Sequence, residues 1–599
     1  MIYHCEDHTC NYWDEGEKLP ERCPQCGRKL LRANEADMTG DDWTALGNTL
    51  WDAEASDKKR MVDCFRKAAY LGSAWGVCNL GICMEQGNGV EADPVQAFWL
   101  YQQAVEMGSL NAVCCLGVCY QYGIGTAPDA KQAAELYCKA AEYGSPRGQM
   151  LLARAFHDGI GVEADAAEAV HWVRAAAYQR YGEGMYRLGV CYEYGDGVEQ
   201  NWEHAVHWFR EAAESGVSVA MADLGYCYEK GCGVEQSWEQ AFSWYRRGAE
   251  CGNPVSMSNL GLCYKRGYGV DQNWQEAIKW YEQGAQCGDL QSMHNLARCY
   301  ERGEGVEQNE DRALYWYRRS AEGGNGDAMC NLGRCYERGY GVEQNWQEAV
   351  KWYEQGAQCG HLQSMNNLAC CYEDGEGVEQ NMTEAIRWYT AAAEGGNADA
   401  MHNLGWHYDH GEGVEQDMKK AICWYERAAE QNHPAAMNSL GECYAMGRGV
   451  PRDLETAMEW YRRAAELGEA MADYNMGWHL EQAGKLSEAY AHYRKAADGN
   501  DDSAWWALGR FYENGVVVAQ DGKEARHCYE TGEKLGSVKC KMRLARCKLL
   551  GIGDRREKKA GLDLCRQALE LAKESSEKED YGYEAEMNLL RRTIAENES

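Results

Sequence analysis

Residues 263–288 read CYKRGYGVDQNWQEAIKWYEQGAQCG, and residues 335–360 read CYERGYGVEQNWQEAVKWYEQGAQCG. Weaker versions of the same stretch fill the chain between and around these two. When the chain is aligned on its Leu-Gly pairs, leucines recur every 36 residues from Leu80 to Leu440, and Met476 continues the series. A fixed period of this size indicates a repeat array in which each unit packs on its neighbours.

Each repeat predicts two helices joined by a glycine-rich turn. Met257, Leu260 and Tyr264 lie at helical spacing on one face, and Gly267 follows the last turn, where a left-handed residue ends helices cheaply. Gly261 lies inside this first helix and costs about 1 kcal/mol relative to Ala. We therefore expect another helix to approach it closely.

The second helix is predicted to begin at an N-cap and to carry an apolar stripe that includes an in-phase Trp-Tyr pair. Three repeats place Asn at the cap with Glu three residues later, which resembles a capping box: Asn273, Asn345 and Asn381. The tryptophans at 36-residue intervals are expected to pack between neighbouring repeats rather than to stack on bases.

Nine of the 29 cysteines fall in one column of the first helix between Cys83 and Cys443. Packed helices lie about 8 to 10 Å apart, which exceeds the roughly 7 Å Cα separation that a disulfide tolerates. The column therefore predicts small buried residues with reduced thiols.

Together, the LG-x-x-Y helix, the G-x-G-V turn and the A-x-x-W-Y helix resemble the Sel-1-like repeat family, a branch of the tetratricopeptide-like solenoids. The resemblance covers about fifteen units over residues 41–572. It implies an all-α, right-handed superhelix of antiparallel helix pairs and a non-catalytic role as a scaffold or adaptor between proteins. One secreted, cysteine-rich branch has been linked to penicillin binding and β-lactamase activity, which leaves such activity as a minor alternative. This chain lacks that branch's regular cysteine pairs.

Residues 1–36 hold a second motif, Cys5-x4-Cys10 followed by Cys23-x2-Cys26. Four thiolates at such spacing suit a tetrahedral, structural Zn²⁺ that holds a small segment together. The segment resembles a zinc ribbon and the rubredoxin-type tail of rubrerythrins, although the first pair has four intervening residues instead of two. Iron in place of zinc remains open, as does a zinc-dependent regulator whose ribbon recruits the partner.

A ladder of asparagines precedes the LG leucine in five successive repeats and is predicted to line the concave face: Asn259, Asn295, Asn331, Asn367 and Asn403. Each amide carries a donor and an acceptor for an extended peptide, or bonds within the solenoid instead. Four arginines are predicted beside the ladder, where they could pair with carboxylates of a partner: Arg298, Arg302, Arg334 and Arg338.

The net charge of −33 disfavours nucleic acid and anionic membrane as partners. No stretch approaches the roughly 20 apolar residues that span a bilayer, and the first ten residues do not resemble a signal peptide. We therefore expect a cytoplasmic protein with a protein or peptide partner. A polar break precedes residues 580–599, which are predicted to form a C-terminal capping helix.

Overall fold

The computed structural model describes residues 2–5, 13–15, 30–33, 38–51, 55–555, 557–578 and 583–598. The chain forms two compact units, Met1–Gln308 and Asn309–Ser599. The described residues are helical apart from three short strands near the N-terminus.

The strands are β1 (Ile2–Cys5), β2 (Trp13–Glu15) and β3 (Leu30–Ala33). They form an antiparallel sheet in the order β2-β1-β3, with Ile2 opposite Glu15 and Cys5 opposite Leu30. β2 lies against the first helix of the chain, so the sheet packs on the end of the helical array.

The helices of the first unit are α1 (Gly40–Thr49), α2 (Ala55–Tyr70), α3 (Ala74–Gln86), α4 (Pro94–Glu106), α5 (Leu110–Tyr122), α6 (Ala130–Glu142), α7 (Pro146–Asp158), α8 (Ala166–Tyr178), α9 (Gly182–Tyr194), α10 (Trp202–Glu214), α11 (Ser218–Lys230), α12 (Trp238–Glu250), α13 (Pro254–Arg266), α14 (Trp274–Gln286) and α15 (Leu290–Arg302).

The helices of the second unit are α16 (Glu310–Glu322), α17 (Gly326–Arg338), α18 (Trp346–Gln358), α19 (Leu362–Asp374), α20 (Met382–Glu394), α21 (Ala398–His410), α22 (Met418–Glu430), α23 (Pro434–Met446), α24 (Leu454–Glu466), α25 (Ala470–Gln482), α26 (Leu486–Asp498), α27 (Asp502–Asn514), α28 (Gly522–Lys534), α29 (Val538–Leu550), α30 (Lys558–Lys578) and α31 (Glu584–Glu598).

The helix ends follow the sequence prediction. α13 ends at Gly267, whose φ of 73° is left-handed, and Gly269 repeats this conformation at φ 68°. Asn273 caps α14 by accepting from the backbone N–H of Glu276 at 3.2 Å. The N-cap prediction is therefore confirmed. The second half of a capping box is not formed, because the Glu276 carboxylate pairs with Lys279 at 3.2 Å.

In most repeats a glycine of the first helix contacts an aromatic ring of the second helix, and alanine takes the place of the glycine at Ala153, Ala297 and Ala369. A methyl group added to Gly261 would lie 2.5 Å from the ring of Tyr281, and Gly333 stands in the same relation to Tyr353 at 2.4 Å. Both tyrosines are fully buried. The expected close approach to the helix glycine is therefore confirmed, because a side chain there would displace the ring.

The first helices of the repeats are the odd-numbered helices from α1 to α29. Within each unit, first helices of successive repeats contact one another more extensively than second helices do, for example α13 with α15 and α17 with α19. In each unit the first helices therefore form a common surface, called here the first-helix face of that unit. The cysteine column lies within the helix packing, and every cysteine in the described repeats is a free thiol.

Candidate partner-binding face

The asparagine ladder lies on the first-helix face, but its members have different surroundings. In the second unit, Asn403 Nδ2 donates to Asn366 Oδ1 at 3.2 Å, and Asn367 Nδ2 lies 3.6 Å from Cys330 Sγ. Asn475 makes the equivalent bond to Asn438 at 3.0 Å. Each of these amides therefore links a first helix to the first helix of the preceding repeat.

In the first unit, Asn259 and Asn295 are half-buried, and neither side chain has a hydrogen-bond partner among the described residues. Asn331, on α17, is also half-buried. The ladder thus contains amides that hold neighbouring repeats together and amides whose donors and acceptors are available to another molecule.

The four predicted arginines lie at the C-terminal halves of α15 and α17. Arg298 is half-buried, while Arg302, Arg334 and Arg338 are exposed. Two of them have weak ion pairs on their own segment, since Arg302 lies 3.8 Å from Glu304 and Arg338 lies 3.9 Å from Glu337. Exposed pairs of this kind contribute little to stability, so these guanidinium groups remain able to bind other carboxylates.

A buried tyrosine–glutamate pair recurs in the repeats, and sequence reasoning did not identify it. The tyrosine hydroxyl of the second helix donates to a glutamate sixteen residues earlier, near the end of the first helix, at 2.6 to 2.8 Å. The pairs are Tyr101–Glu85, Tyr245–Glu229, Tyr353–Glu337, Tyr389–Glu373 and Tyr529–Glu513. The sequence signal that could have identified the pair is a glutamate sixteen residues before the tyrosine in several repeats.

The pair is broken in the repeat of α13 and α14, where Lys265 replaces the glutamate. Tyr281 is fully buried, and its hydroxyl has no hydrogen-bond partner among the described residues. Lys265 instead donates to Glu304 at 2.9 Å and lies over the ring of Trp274. Burial raises the pKa of Tyr281, and the positive charges of Arg298 and Arg266 oppose that rise. Two arginines thus act on a hydroxyl whose counterpart in other repeats meets a carboxylate.

A further helix of the chain packs on the last described helix pair. α31 packs on α29 and α30, and Glu586, which is 7% exposed, accepts from Arg543 of α29. Arg543 Nε lies 2.6 Å from Glu586 Oε2, and Arg543 Nη2 lies 2.7 Å from Oε1. The Nη2 contact is a charge-assisted hydrogen bond, the Nε contact is an ion pair without hydrogen-bond geometry, and Arg543 Nη1 also donates to Glu513 of α27 at 3.3 Å. Arg543 occupies the ladder position of α29.

Asp327, His361 and Ser364 form an acid–imidazole–hydroxyl series, but its geometry is that of a helix cap. His361 Nε2 lies 3.1 Å from Asp327 Oδ1, and Nδ1 lies 2.9 Å from Ser364 Oγ. Nδ1 also accepts from the backbone N–H of Ser364 at the start of α19. Ser364 has no exposed surface, so its hydroxyl cannot reach a substrate.

The predicted metal ligands lie mostly outside the described residues. Cys5 ends β1, whereas Cys10, Cys23 and Cys26 fall outside the described ranges. Within those ranges, no cluster of three or more histidine, cysteine or acidic side chains could bind a metal ion.

A family model for the Sel1 repeat matches thirteen segments of the chain: residues 76–109, 112–145, 146–181, 182–217, 218–253, 254–289, 290–325, 326–361, 362–397, 398–433, 434–469, 470–501 and 504–537. The chain belongs to the Sel1 repeat family. The family resemblance and the all-α solenoid predicted from the sequence are thereby confirmed. The helix pairs α1–α2 and α29–α30 lie outside the matched segments.

A solved structure with the same repeat fold agrees with this assignment. The protective antigen c5321 of uropathogenic Escherichia coli strains, which displays the same repeat fold, is 32% identical with a TM-score of 0.53, over 75% of this chain and 97% of its own. A Sel1 repeat protein from Oxalobacter formigenes is also 32% identical, with a TM-score of 0.37, over 41% of this chain and 96% of its own. No curated protein sequence matches the chain. Among the described helices, none is long and apolar enough to cross a bilayer.

Proposed function

We propose that this Sel1 repeat protein is a scaffold whose first-helix face binds an extended or helical segment of a partner protein. The observation that supports the proposal is the pair of half-buried amides of Asn259 and Asn295, which have no hydrogen-bond partner among the described residues. The first helices also carry exposed arginines on α15 and α17. Their arginine and asparagine side chains are the groups expected to contact the partner.

Asn259 and Asn295 contribute to this binding because their amides have no partner within the described structure. Peptide groups of an extended segment would supply both the acceptor and the donor that each amide needs. Arg298, Arg302, Arg334 and Arg338 would add charge-assisted bonds. Asn403 and Asn475 serve the solenoid instead, since each already bonds to the preceding repeat.

This division supplies a matched test. Affinity capture with quantitative mass spectrometry would compare wild type with two double variants, Asn259→Ala with Asn295→Ala, and Asn403→Ala with Asn475→Ala. The first pair is expected to lose the enriched partner while the array stays folded by circular dichroism. The second pair is expected to loosen the repeats. Unchanged partner capture by the first pair, with its fold intact, would remove the ladder of the first unit from the binding site.

We also propose that residues 1–36 bind a structural Zn²⁺ through Cys5, Cys10, Cys23 and Cys26. The strand register supports this, because Cys5 pairs with Leu30, which follows Cys26 by four residues. A zinc ion would hold the segment together through its thiolates. Metal analysis of the purified chain should give one zinc, and Cys23→Ser with Cys26→Ser should lose it. Cys83→Ser, a buried thiol of the repeats, is the control, and iron in the analysis would contradict zinc.

The same zinc-free variant separates the scaffold from a zinc-dependent regulator. If the partner binds the first-helix face, loss of zinc leaves its capture unchanged. If capture falls together with the metal, the ribbon recruits the partner.

A further inference from the structure

The ends of α13 and α15 carry a cluster of positive charge in a strongly acidic chain. Lys265, Arg266, Arg298 and Arg302 lie there with two carboxylates, Glu301 and Glu304. Glu304 is held by Lys265 at 2.9 Å, with Arg302 at 3.8 Å. Arg266 and Arg298 form no ion pair with any described carboxylate. Two guanidinium groups are therefore available on this part of the first-helix face.

The buried hydroxyl of Tyr281 adds a second and independent feature. In the sister repeat, Tyr353 donates to Glu337 at 2.6 Å. The two repeats have nearly the same sequence around this contact, but Lys265 stands where the sister has Glu337. A buried hydroxyl without a hydrogen-bond partner destabilises a folded protein, and the Tyr281 hydroxyl is such a group. The repeat thus has the donor of the tyrosine–carboxylate pair and lacks the carboxylate.

We infer that this repeat receives its carboxylate from a partner, through a site that we call the Lys265 notch, formed by Lys265, Arg266, Tyr281 and Arg298. The ligand is an acidic peptide segment. One of its carboxylates pairs with Arg266 and Arg298 and accepts from the Tyr281 hydroxyl in place of the missing glutamate. This inference rests on the proposed binding role of the first-helix face. It adds the chemical class of the partner segment and the repeat that binds it.

Because the Tyr281 hydroxyl is fully buried, a ligand reaches it only if neighbouring side chains move. Lys265 and Arg298 lie in the C-terminal halves of α13 and α15, and both have long side chains with several rotamers. Asn259 and Asn295 lie on the same two helices, with amides available for the backbone of the bound segment. The ion pair between Arg543 and Glu586 shows the same chemistry within the chain, because an arginine of a first helix binds a carboxylate of another helix.

A peptide carboxylate fits these surroundings better than a nucleic acid does. Glu301 and Glu304 flank the notch, and the whole chain has a net charge of −33. A long polyanion would be repelled on both sides of the site, whereas a single carboxylate on a mixed peptide meets only the cationic groups.

Fluorescence anisotropy on the full chain would test the notch with a labelled ten-residue peptide of alternating Glu and Ser, and a matched peptide of Gln and Ser. The Glu peptide is expected to bind at least about tenfold more tightly, as a charge-assisted pair predicts. Lys265→Glu restores the internal carboxylate and should abolish that preference. Lys279→Glu makes the same charge change on α14 and should leave the preference intact. Tyr281→Phe should weaken Glu-peptide binding several-fold.

Equal binding of the two peptides would overturn the notch, as would a Lys265→Glu variant that keeps the preference. A single-stranded oligonucleotide that competes as well as the Glu peptide would also overturn it, because the site would then recognise any anion. The scaffold proposal is judged separately, since the Asn259 and Asn295 variant reports partner capture whether or not the Glu peptide binds.

Discussion

The sister repeats allow one substitution, Tyr→Phe, to be tested in two nearly identical surroundings with opposite expected results. Tyr353 donates to Glu337 at 2.6 Å and is fully buried. Tyr353→Phe removes that bond and leaves a half-buried carboxylate without its donor, so it should lower the local stability by about 2 kcal/mol, the usual value for a hydrogen bond to a charged group.

Tyr281→Phe removes a hydroxyl that has no partner, from a site that is equally buried. It should be neutral or should raise the local stability by up to about 1 kcal/mol, because an unsatisfied buried group is eliminated without loss of volume. The ring still fills the space against Gly261 in Tyr281→Phe and against Gly333 in Tyr353→Phe. The two results should therefore differ by roughly 2 to 3 kcal/mol.

Native-state hydrogen exchange with mass spectrometry suits this comparison, because a long array does not unfold as one cooperative unit. Peptides from α17 and α18 should exchange roughly 30-fold faster in Tyr353→Phe, the equivalent of 2 kcal/mol. Peptides from α13 and α14 should exchange at the wild-type rate or more slowly in Tyr281→Phe. Equal destabilisation by both substitutions would refute the assignment of the tyrosine–glutamate pair as the cause.

Three further outcomes follow from particular contacts. Burial and, second, the charge of His433 lower the pKa of His402 to about 4. Below about pH 6.5 the unfolded chain therefore binds the proton more readily than the folded chain, and the second unit should lose about 3 kcal/mol of stability as the pH falls towards 4. Urea titrations at pH 7 and 5 should show a smaller loss in His402→Gln. Arg543→Gln should weaken the packing of α31 by roughly 3 kcal/mol, because Glu586 would be left buried without its arginine. The double variant Arg543→Gln with Glu586→Gln should recover most of that stability. Hydrogen exchange of residues 584–598 measures both effects. Val517 has a φ of 65° at the position that corresponds to Gly269 in the repeat of α13 and α14. Val517→Gly should remove about 1 to 2 kcal/mol of backbone strain, and the thermal midpoint of its repeat should rise.

Repeat period, helix pairs and turn glycines were all determined by the sequence, because they depend on local chemistry. An LG leucine every 36 residues establishes the array, Gly267 supplies the left-handed helix end, and Asn273 supplies the cap. The position of the ladder asparagines on the first helix also follows from helical periodicity. These features need only neighbours within a few residues or the identical position of the next repeat.

Only the tertiary structure decided which of these side chains already have partners. Asn259 and Asn403 look equivalent in the sequence, yet Asn403 bonds to Asn366 of the preceding repeat and Asn259 has no described partner. Tyr281 and Tyr353 likewise differ only through a residue sixteen positions earlier on another helix. Burial and hydrogen bonding between helices are properties of three-dimensional packing. A periodic pattern therefore cannot distinguish a buried polar group that has a hydrogen-bond partner from one that has none.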